Sequence, residues 1–380
     1  MKTRLIILTA LIALSCAKAP EKEKSFFETL PADGMVFNAS NAAGPSKSHL
    51  ESDNATNGTL YWSKDDVLSV YAYKAADQSF VAGNAYINPS AAGQTSAEFK
   101  STKTSAEWFG GEEKVFFAHY PNNGFPLLVH EDDNKNYLPL PVSNYQTGNY
   151  ANHQVMFAYA GAKSSGDPVS FQFSPLAPIL RFRFKSLDGS SCDIGTITLE
   201  LGMRLANDTY YYNREPGETL DQSDGKRLSG HIVIDLPATI ANNAVTTIQQ
   251  PYNEGYGGYV ILELSRYGKI LTVGDDWSDP VFAAVIPTAN PEPDMLFAIS
   301  AIRFDPDNWD EQDAFTKGGT GLNYGEVFSA VKTLTNLPNG FESGKLYDFA
   351  ITLDHGRMDV GNLSTYELGS YNIINWGVEE

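Results

Sequence analysis

Cysteine is almost absent from this sequence: 380 residues hold two, Cys16 and Cys192. A framework of disulfides is therefore excluded, and packing and strand pairing must stabilise the fold. Arginine is missing between Cys16 and Leu180, although eight follow from Arg181 onward. The six histidines (His49, His119, His130, His153, His231 and His355) form no His-x-His or His-x-x-x-His pair. Zinc-ligand spacing is thus missing, and no metal is expected. Gly-x-Ser-x-Gly, P-loop and dinucleotide fingerprints are missing too. The sequence supports no catalytic residues, no cofactor and no enzyme. Positive charge is outweighed, with a net charge of −19. That balance argues against nucleic acid or an anionic membrane surface as a partner.

Long apolar runs are also lacking. The one candidate, residues 5–14, follows Lys2 and Arg4. At ~1.5 Å rise per residue it is too short to cross a bilayer core of ~30 Å. A positive start, a short apolar core and a small residue describe an export signal over residues 1–15. Ala13-Leu14-Ser15-Cys16 resembles a bacterial lipobox. The resemblance implies cleavage before Cys16 and acylation of its thiol, an anchor in the outer-membrane lipid. Residues 16–30, with "AKAPEKEKS", read as a flexible tether. Cys192 would then have no intramolecular partner.

What is abundant favours strands and turns: 32 Gly, 20 Pro, 20 Tyr and 21 Phe. "VLSVYAYK" places Val67, Ser69, Tyr71 and Tyr73 on one face and Leu68, Val70 and Ala72 on the other. "VSFQFSPLAPILRFRFKS" alternates in two parts broken at Pro175 and Pro178. Many such short runs, separated by Gly, Pro, Asn or Asp, predict an all-β protein of antiparallel sheets packed as sandwiches. A short helix is the alternative for "GEVFSAVKTL", 325–334. The polar "AKSSGDP" at 162–168 is the expected boundary between two domains, residues 31–165 and 166–380.

Several segments hold candidate chemistry. "HEDDNKNYL" spaces Asp132, Asn134 and Asn136 as a calcium loop does, but lacks its glycine and closing glutamate. "DPDNWDEQD" at 305–313 is acidic without ligand spacing. Cys192, in "DGSSCDIG", lacks a local base. Tyr210, Tyr211 and Tyr212 precede a polar turn, and "PYNEGYGGY" adds Tyr252, Tyr256 and Tyr259. Aromatic clusters of this kind stack on sugars or anchor protein partners, and equally fill strand faces.

Taken in order, "GTLYWSKDDVLSVYAY", "KVFFAHYPNNG", "VMFAYAGAKSSGDPVSFQFSPLAPILRFRF", "AAVIPT" and "LPNGFESGKLYDFAITL" resemble the fimbrillin family of the Bacteroidales. They cover most of residues 55–355. The resemblance implies two tandem transthyretin-like β-sandwich domains in a lipoprotein subunit of a cell-surface pilus. It implies other pilus subunits as partners, in a homo- or hetero-polymer, with host or bacterial surface ligands beyond them. It further implies that a protease removes the first strand, here "GMVFNAS" at 34–40, so that a strand from another subunit takes its place. Family members are cut after arginine; here Lys47, in "GPSKSHLESDN", stands as the candidate cleavage site. The candidate donor strand is "SYNIINWGVEE", with Tyr371 and Ile373 on one face and Ile374, Trp376 and Val378 on the other. A strand apolar on both faces is buried on both, so it either completes its own second domain or is lent to a neighbour. The alternative function is a surface lipoprotein that binds glycans through the tyrosine-rich loops.

Overall fold

The computed structural model describes residues 26–41, 49–50, 60–74, 80–94, 96–122, 128–130, 135–148, 155–204, 210–212, 228–248, 259–287, 295–304, 327–333, 340–354 and 357–367. The first half runs α1 (Phe26–Thr29), β1 (Gly34–Asn41), β2 (His49–Leu50), β3 (Leu60–Tyr61), β4 (Val67–Tyr73), β5 (Phe80–Ile87), β6 (Ser96–Thr104), α2 (Ser105–Phe109), β7 (Lys114–Tyr120), β8 (Leu128–His130), β9 (Lys135–Val142), β10 (Tyr145–Gln146), β11 (Met156–Lys163) and β12 (Val169–Pro175). The second runs β13 (Ile179–Ser186), β14 (Cys192–Arg204), β15 (Tyr210–Tyr212), β16 (Gly230–Asp235), α3 (Leu236–Asn242), β17 (Thr247–Ile248), β18 (Tyr259–Leu262), β19 (Leu271–Val273), β20 (Val281–Ala284), β21 (Met295–Arg303), β22 (Val327–Thr333), β23 (Lys345–Asp354) and β24 (Arg357–Glu367). The protein is all-β in class. Among the described residues no helix is long and apolar enough to cross a membrane.

Seven strands form a closed ring in the order β1-β12-β11-β7-β4-β5-β6. The alternation read from the sequence sets its faces. Val70 pairs with Ala118 and Ala72 with Phe116, which puts Leu68, Val70, Ala72, Phe116 and Ala118 inside. Ser69, Tyr71 and Tyr73 pair with His119, Phe117 and Val115 on the outer side. That outer side is buried as well. A smaller sheet, β17-β16-β9-β8, contributes Leu138, Leu140, Ile232 and Ile234 to the same apolar cluster. This sheet joins the halves, because β9 comes from the first and β16 from the second.

The second half is a sandwich. One layer is β20-β13-β23-β24 and the other is centred on β18-β14-β21-β22. Phe182 stacks on Phe349 at 5.1 Å between ring centres, and Phe297 meets Phe349 at 5.3 Å. On the other face of β13, Arg181 Nε donates to Asp348 Oδ1 at 2.6 Å and Arg183 Nη2 to Asp348 Oδ2 at 2.7 Å. The Asp348 side chain is fully buried, and two guanidinium groups supply its partners there.

One side of the sandwich is sealed by a segment from the first half. Ile261 N–H donates to Asn144 O, Glu263 N–H to Gln146 O, and Phe282 N–H to Gly148 O. The buried Gln146 side chain then acts as a strand would. It accepts from Ala284 N–H at 2.9 Å and donates to Ala284 O at 2.7 Å.

Two expectations are revised at this level. The junction expected at 162–168 is a turn between β11 and β12, and both strands belong to the ring. The chain leaves the ring only after Pro175, while β9 and β10 before the turn pair with strands of the second half. The helix considered at 325–334 is strand β22: its Val, Phe and Thr residues suit a pleated surface, and it pairs with β21 along its described length. Within the calcium-like stretch, Asn136 lies in β9, and the preceding residues lie outside the described set, as does 305–313. No cluster of metal-binding side chains occurs among the described residues.

Candidate functional site: the groove filled by the first strand

β1 holds the ring closed. It pairs antiparallel with β6, from Gly34↔Thr104 to Ser40↔Ser96, and parallel with β12, from Phe37↔Val169 to Asn41↔Phe173. Among the described residues β6 and β12 are joined by nothing else. The strand's residues divide cleanly. Met35, Phe37 and Ala39 are buried, whereas Val36, Asn38 and Ser40 face out. At its start Gly34 lies against the Ser101 carbonyl so closely that a Cβ would collide with it, and the register shifts there between Gly34 and Val36.

Phe37 is the anchor. Its ring lies 5.5 Å from Trp108, edge-on, 5.6 Å from Phe171 and 6.0 Å from Phe116. Trp108 is put there by α2, a single turn that plugs the ring. Thr104 and Glu107 form a reciprocal capping box at its start, and Gly110 in the left-handed region ends it. Trp108 Nε1 donates to Ser101 Oγ at 2.9 Å. A Cβ on Gly83 would lie 3.1 Å from the same indole, close enough that the ring would have to give by a few tenths of an ångström. Burial of Met35, Phe37 and Ala39 stabilises the closed state by on the order of 5 kcal/mol.

Ahead of β1, α1 brings Phe27 to a cleft of about 390 Å³ shared with Asp66, Val67, Tyr86 and Ile87. Asp66 is itself committed: Tyr120 OH donates to Oδ1 at 2.9 Å and Ser63 N–H to Oδ2 at 2.6 Å. The leading segment thus fills both the groove and part of this cleft.

The buried titratable group nearby is His119, on the outer side of the ring. Pro121 O accepts from Nδ1–H at 3.0 Å, which leaves Nε2 to accept from Tyr71 OH at 3.3 Å. Burial pushes the imidazole down to about 4 and also raises the Tyr71 phenol. Both groups are therefore uncharged at neutral pH. Ser69, opposite His119 on β4, donates its hydroxyl to Asn122 Oδ1 at 2.7 Å, so the polar groups here are engaged with one another.

The other sequence candidates separate as follows. Tyr210, Tyr211 and Tyr212 form β15 and pair with Arg204, Met203 and Gly202 of β14. Tyr259 accepts at its hydroxyl from Asn144 Nδ2 at 3.0 Å. Cys192 starts β14 opposite Val273, half-buried. Cys16, Lys47, Tyr252, Tyr256 and the stretch Tyr371, Ile373, Ile374, Trp376 and Val378 lie outside the described residues. The structure therefore brings together the first strand and its groove. Gln146, which caps the β20 edge of the second half, carries no sequence signal, being a lone glutamine before a loop.

No family model matches the chain. No curated protein matches it in sequence. Solved structures do resemble it. A candidate cell adhesion protein from Bacteroides uniformis is 14% identical, with 88% of this chain and 99% of that one covered and a TM-score of 0.46. One from Bacteroides ovatus is 11% identical, with 88% and 98% covered and a TM-score of 0.45. The tip fimbrial protein Mfa3 from Porphyromonas gingivalis, truncated at its C-terminus, is 9% identical, with 87% and 98% covered and a TM-score of 0.34. Adhesion and fimbrial proteins of the Bacteroidales are thus what this chain is similar to in structure. At these values the likeness concerns the layout of the chain and not what it binds.

Proposed function

We propose that this protein is a structural and adhesive subunit of a cell-surface pilus, assembled by exchange of β-strands between subunits. The observation that carries the reading is β1: an apolar strand that alone joins β6 to β12 among the described residues, followed directly by the stretch 42–48 that holds Lys47. Cutting after Lys47 frees α1 and β1 together. Their departure leaves two unpaired strand edges above a floor of Phe99, Trp108, Phe116 and Phe171. Unpaired buried backbone is costly, and an apolar groove of this shape favours any strand that repeats the inward pattern. The segment containing Ile374, Trp376 and Val378 offers apolar residues at the same two-residue spacing as Met35, Phe37 and Ala39.

In this reading the body is a tandem pair of transthyretin-like domains, held to the outer membrane by acylated Cys16 and a tether. Its role is mechanical, with no catalytic step. The sequence segments shared with fimbrillins support it independently of the groove. Glycan binding through tyrosines draws no support from Tyr259, whose hydroxyl is already engaged.

The test is limited trypsin digestion of the intact chain followed by an unboiled SDS gel. Loss of the leading segment with appearance of an SDS-resistant ladder is expected, and Lys47→Gln should suppress both. A cut chain that has lost β1 and stays monomeric would contradict the proposal.

A further inference from the structure

We infer that the groove of the first half continues around β6 to a second seat on the outer face of the ring, and that a strand replacing β1 brings an aromatic side chain of its own to that seat. The inference rests on the strand exchange proposed above and names what the incoming strand must carry.

The leading segment grips β6 from both faces. Inside the ring, Phe37 lies opposite Phe99 of β6. On the outer face Val36 lies opposite Lys100, and Lys100 lies opposite Tyr86 of β5. Phe27 returns to this same outer row. It shares the cleft with Val67, Tyr86, Ile87 and Pro89, and Lys100 Nζ stands 5.9 Å from the centre of its ring. The passage between the two faces is fixed by short contacts. Leu30 is buried and donates its N–H to Phe27 O at 3.4 Å, and Gly34 N–H donates to Pro31 O at 3.0 Å. Gly34 makes the crossing itself. A Cβ there would stand 2.4 Å from the Ser101 carbonyl oxygen, a backbone atom that cannot swing aside as a side chain can.

The groups that form the outer seat lie on β4, β5 and β6 or just beyond them, so they stay behind when α1 and β1 leave. An apolar cleft with a cation over it suits an aromatic ring, which buries its body and turns a face to the ammonium. The inner groove alone accepts any strand of alternating apolar residues. The outer seat adds a selection. A strand that fills both needs an aromatic residue, a glycine seven positions later and a large apolar residue three further on, as Phe27, Gly34 and Phe37 are spaced. The C-terminal stretch of this chain lacks that pattern: Asn362 and Ser370 stand seven positions before Gly369 and Gly377. On this rule it fills the inner groove alone, and the strand that fits both seats belongs to a different subunit.

Two experiments on the full chain test this. In the uncut chain, Phe27→Ala should speed hydrogen exchange of β1 and β6 by about tenfold or more, the share of the grip that the outer seat supplies, and leave the sandwich unchanged. Phe27→Tyr should keep the wild-type rates. Equal protection in the wild type and Phe27→Ala overturns the inference, whether or not subunits exchange strands. In the second experiment the chain is digested with trypsin in the presence of synthetic peptides, none of which contains lysine or arginine, and the peptide retained by the cut protein is measured. A peptide of residues 26–41 should be retained at a concentration at least about tenfold lower than one of residues 31–41. Phe27→Ala or Gly34→Ala within the long peptide should abolish that advantage, and a peptide of residues 370–380 should behave like the short one. Equal retention of the long and short peptides overturns this inference and leaves strand exchange standing. Retention of neither contradicts strand exchange, and the assignment of the outer seat to an incoming strand falls with it.

Discussion

The two halves meet the same problem, an open sheet edge, in different ways. The first half closes on itself, and its last gap is filled by β1, a strand at the start of the described chain. The second half is closed on one side by a segment borrowed from the first, with Gln146 standing in for a strand, and among the described residues its larger sheet ends on the other side at β22. Closure by a local terminal strand is removable: one cut beside it releases the whole element. Closure by residues 143–148 is not, because that segment is tied into the chain at both ends. Under the proposed function, the first half is the one that exchanges its strand and the second is the one that holds its shape.

The largest expected effect breaks the first closure without cutting it. Phe37→Ala removes the anchor among Trp108, Phe116 and Phe171 and should cost about 3–5 kcal/mol. Hydrogen exchange should rise on β1, β6 and β12 while β13, β14 and β23 keep their protection. Uniform loss across both halves would show that the halves do not close separately.

Acid sharpens the same contrast. His119 has a folded pKa of about 4, below the ordinary imidazole value. Between those two values the unfolded chain binds more protons than the folded one. Stability is therefore full above pH ~6.5 and falls as pH drops towards 4, by roughly 3 kcal/mol from this group. The loss should fall on the ring, and His119→Gln should flatten it in a series of thermal melts against pH. The smallest effect lies at the second closure. Gln146→Ala leaves Ala284 N–H and C=O without their partners and should cost about 1–3 kcal/mol, seen as a lower unfolding midpoint of the sandwich alone.

Much of this was legible in the sequence, for physical reasons. The period-2 alternation of residues 67–73 correctly separated Leu68, Val70 and Ala72 from Ser69, Tyr71 and Tyr73, although both faces proved buried. The family resemblance placed the first strand at 34–40, and β1 runs Gly34–Asn41. What alternation cannot carry is which strand lies beside which. The turn at 162–168 has the composition of a linker, yet it is a hairpin inside the ring, because Val169, Phe171 and Phe173 complete that core. The shared sheet of β9 and β16 brings Leu138 and Leu140 beside Ile232 and Ile234 across some ninety positions, which no local pattern reports. The Arg181–Asp348 pair is similarly remote.

The account rests on β1 being a replaceable occupant of the ring. The most direct measurement adds a synthetic peptide of residues 31–41 to trypsin-cut protein that has lost its leading segment. The peptide should block the SDS-resistant ladder and restore hydrogen-exchange protection to β6 and β12. A ladder that forms unchanged in excess peptide, with β6 and β12 still unprotected, would show that subunits join elsewhere.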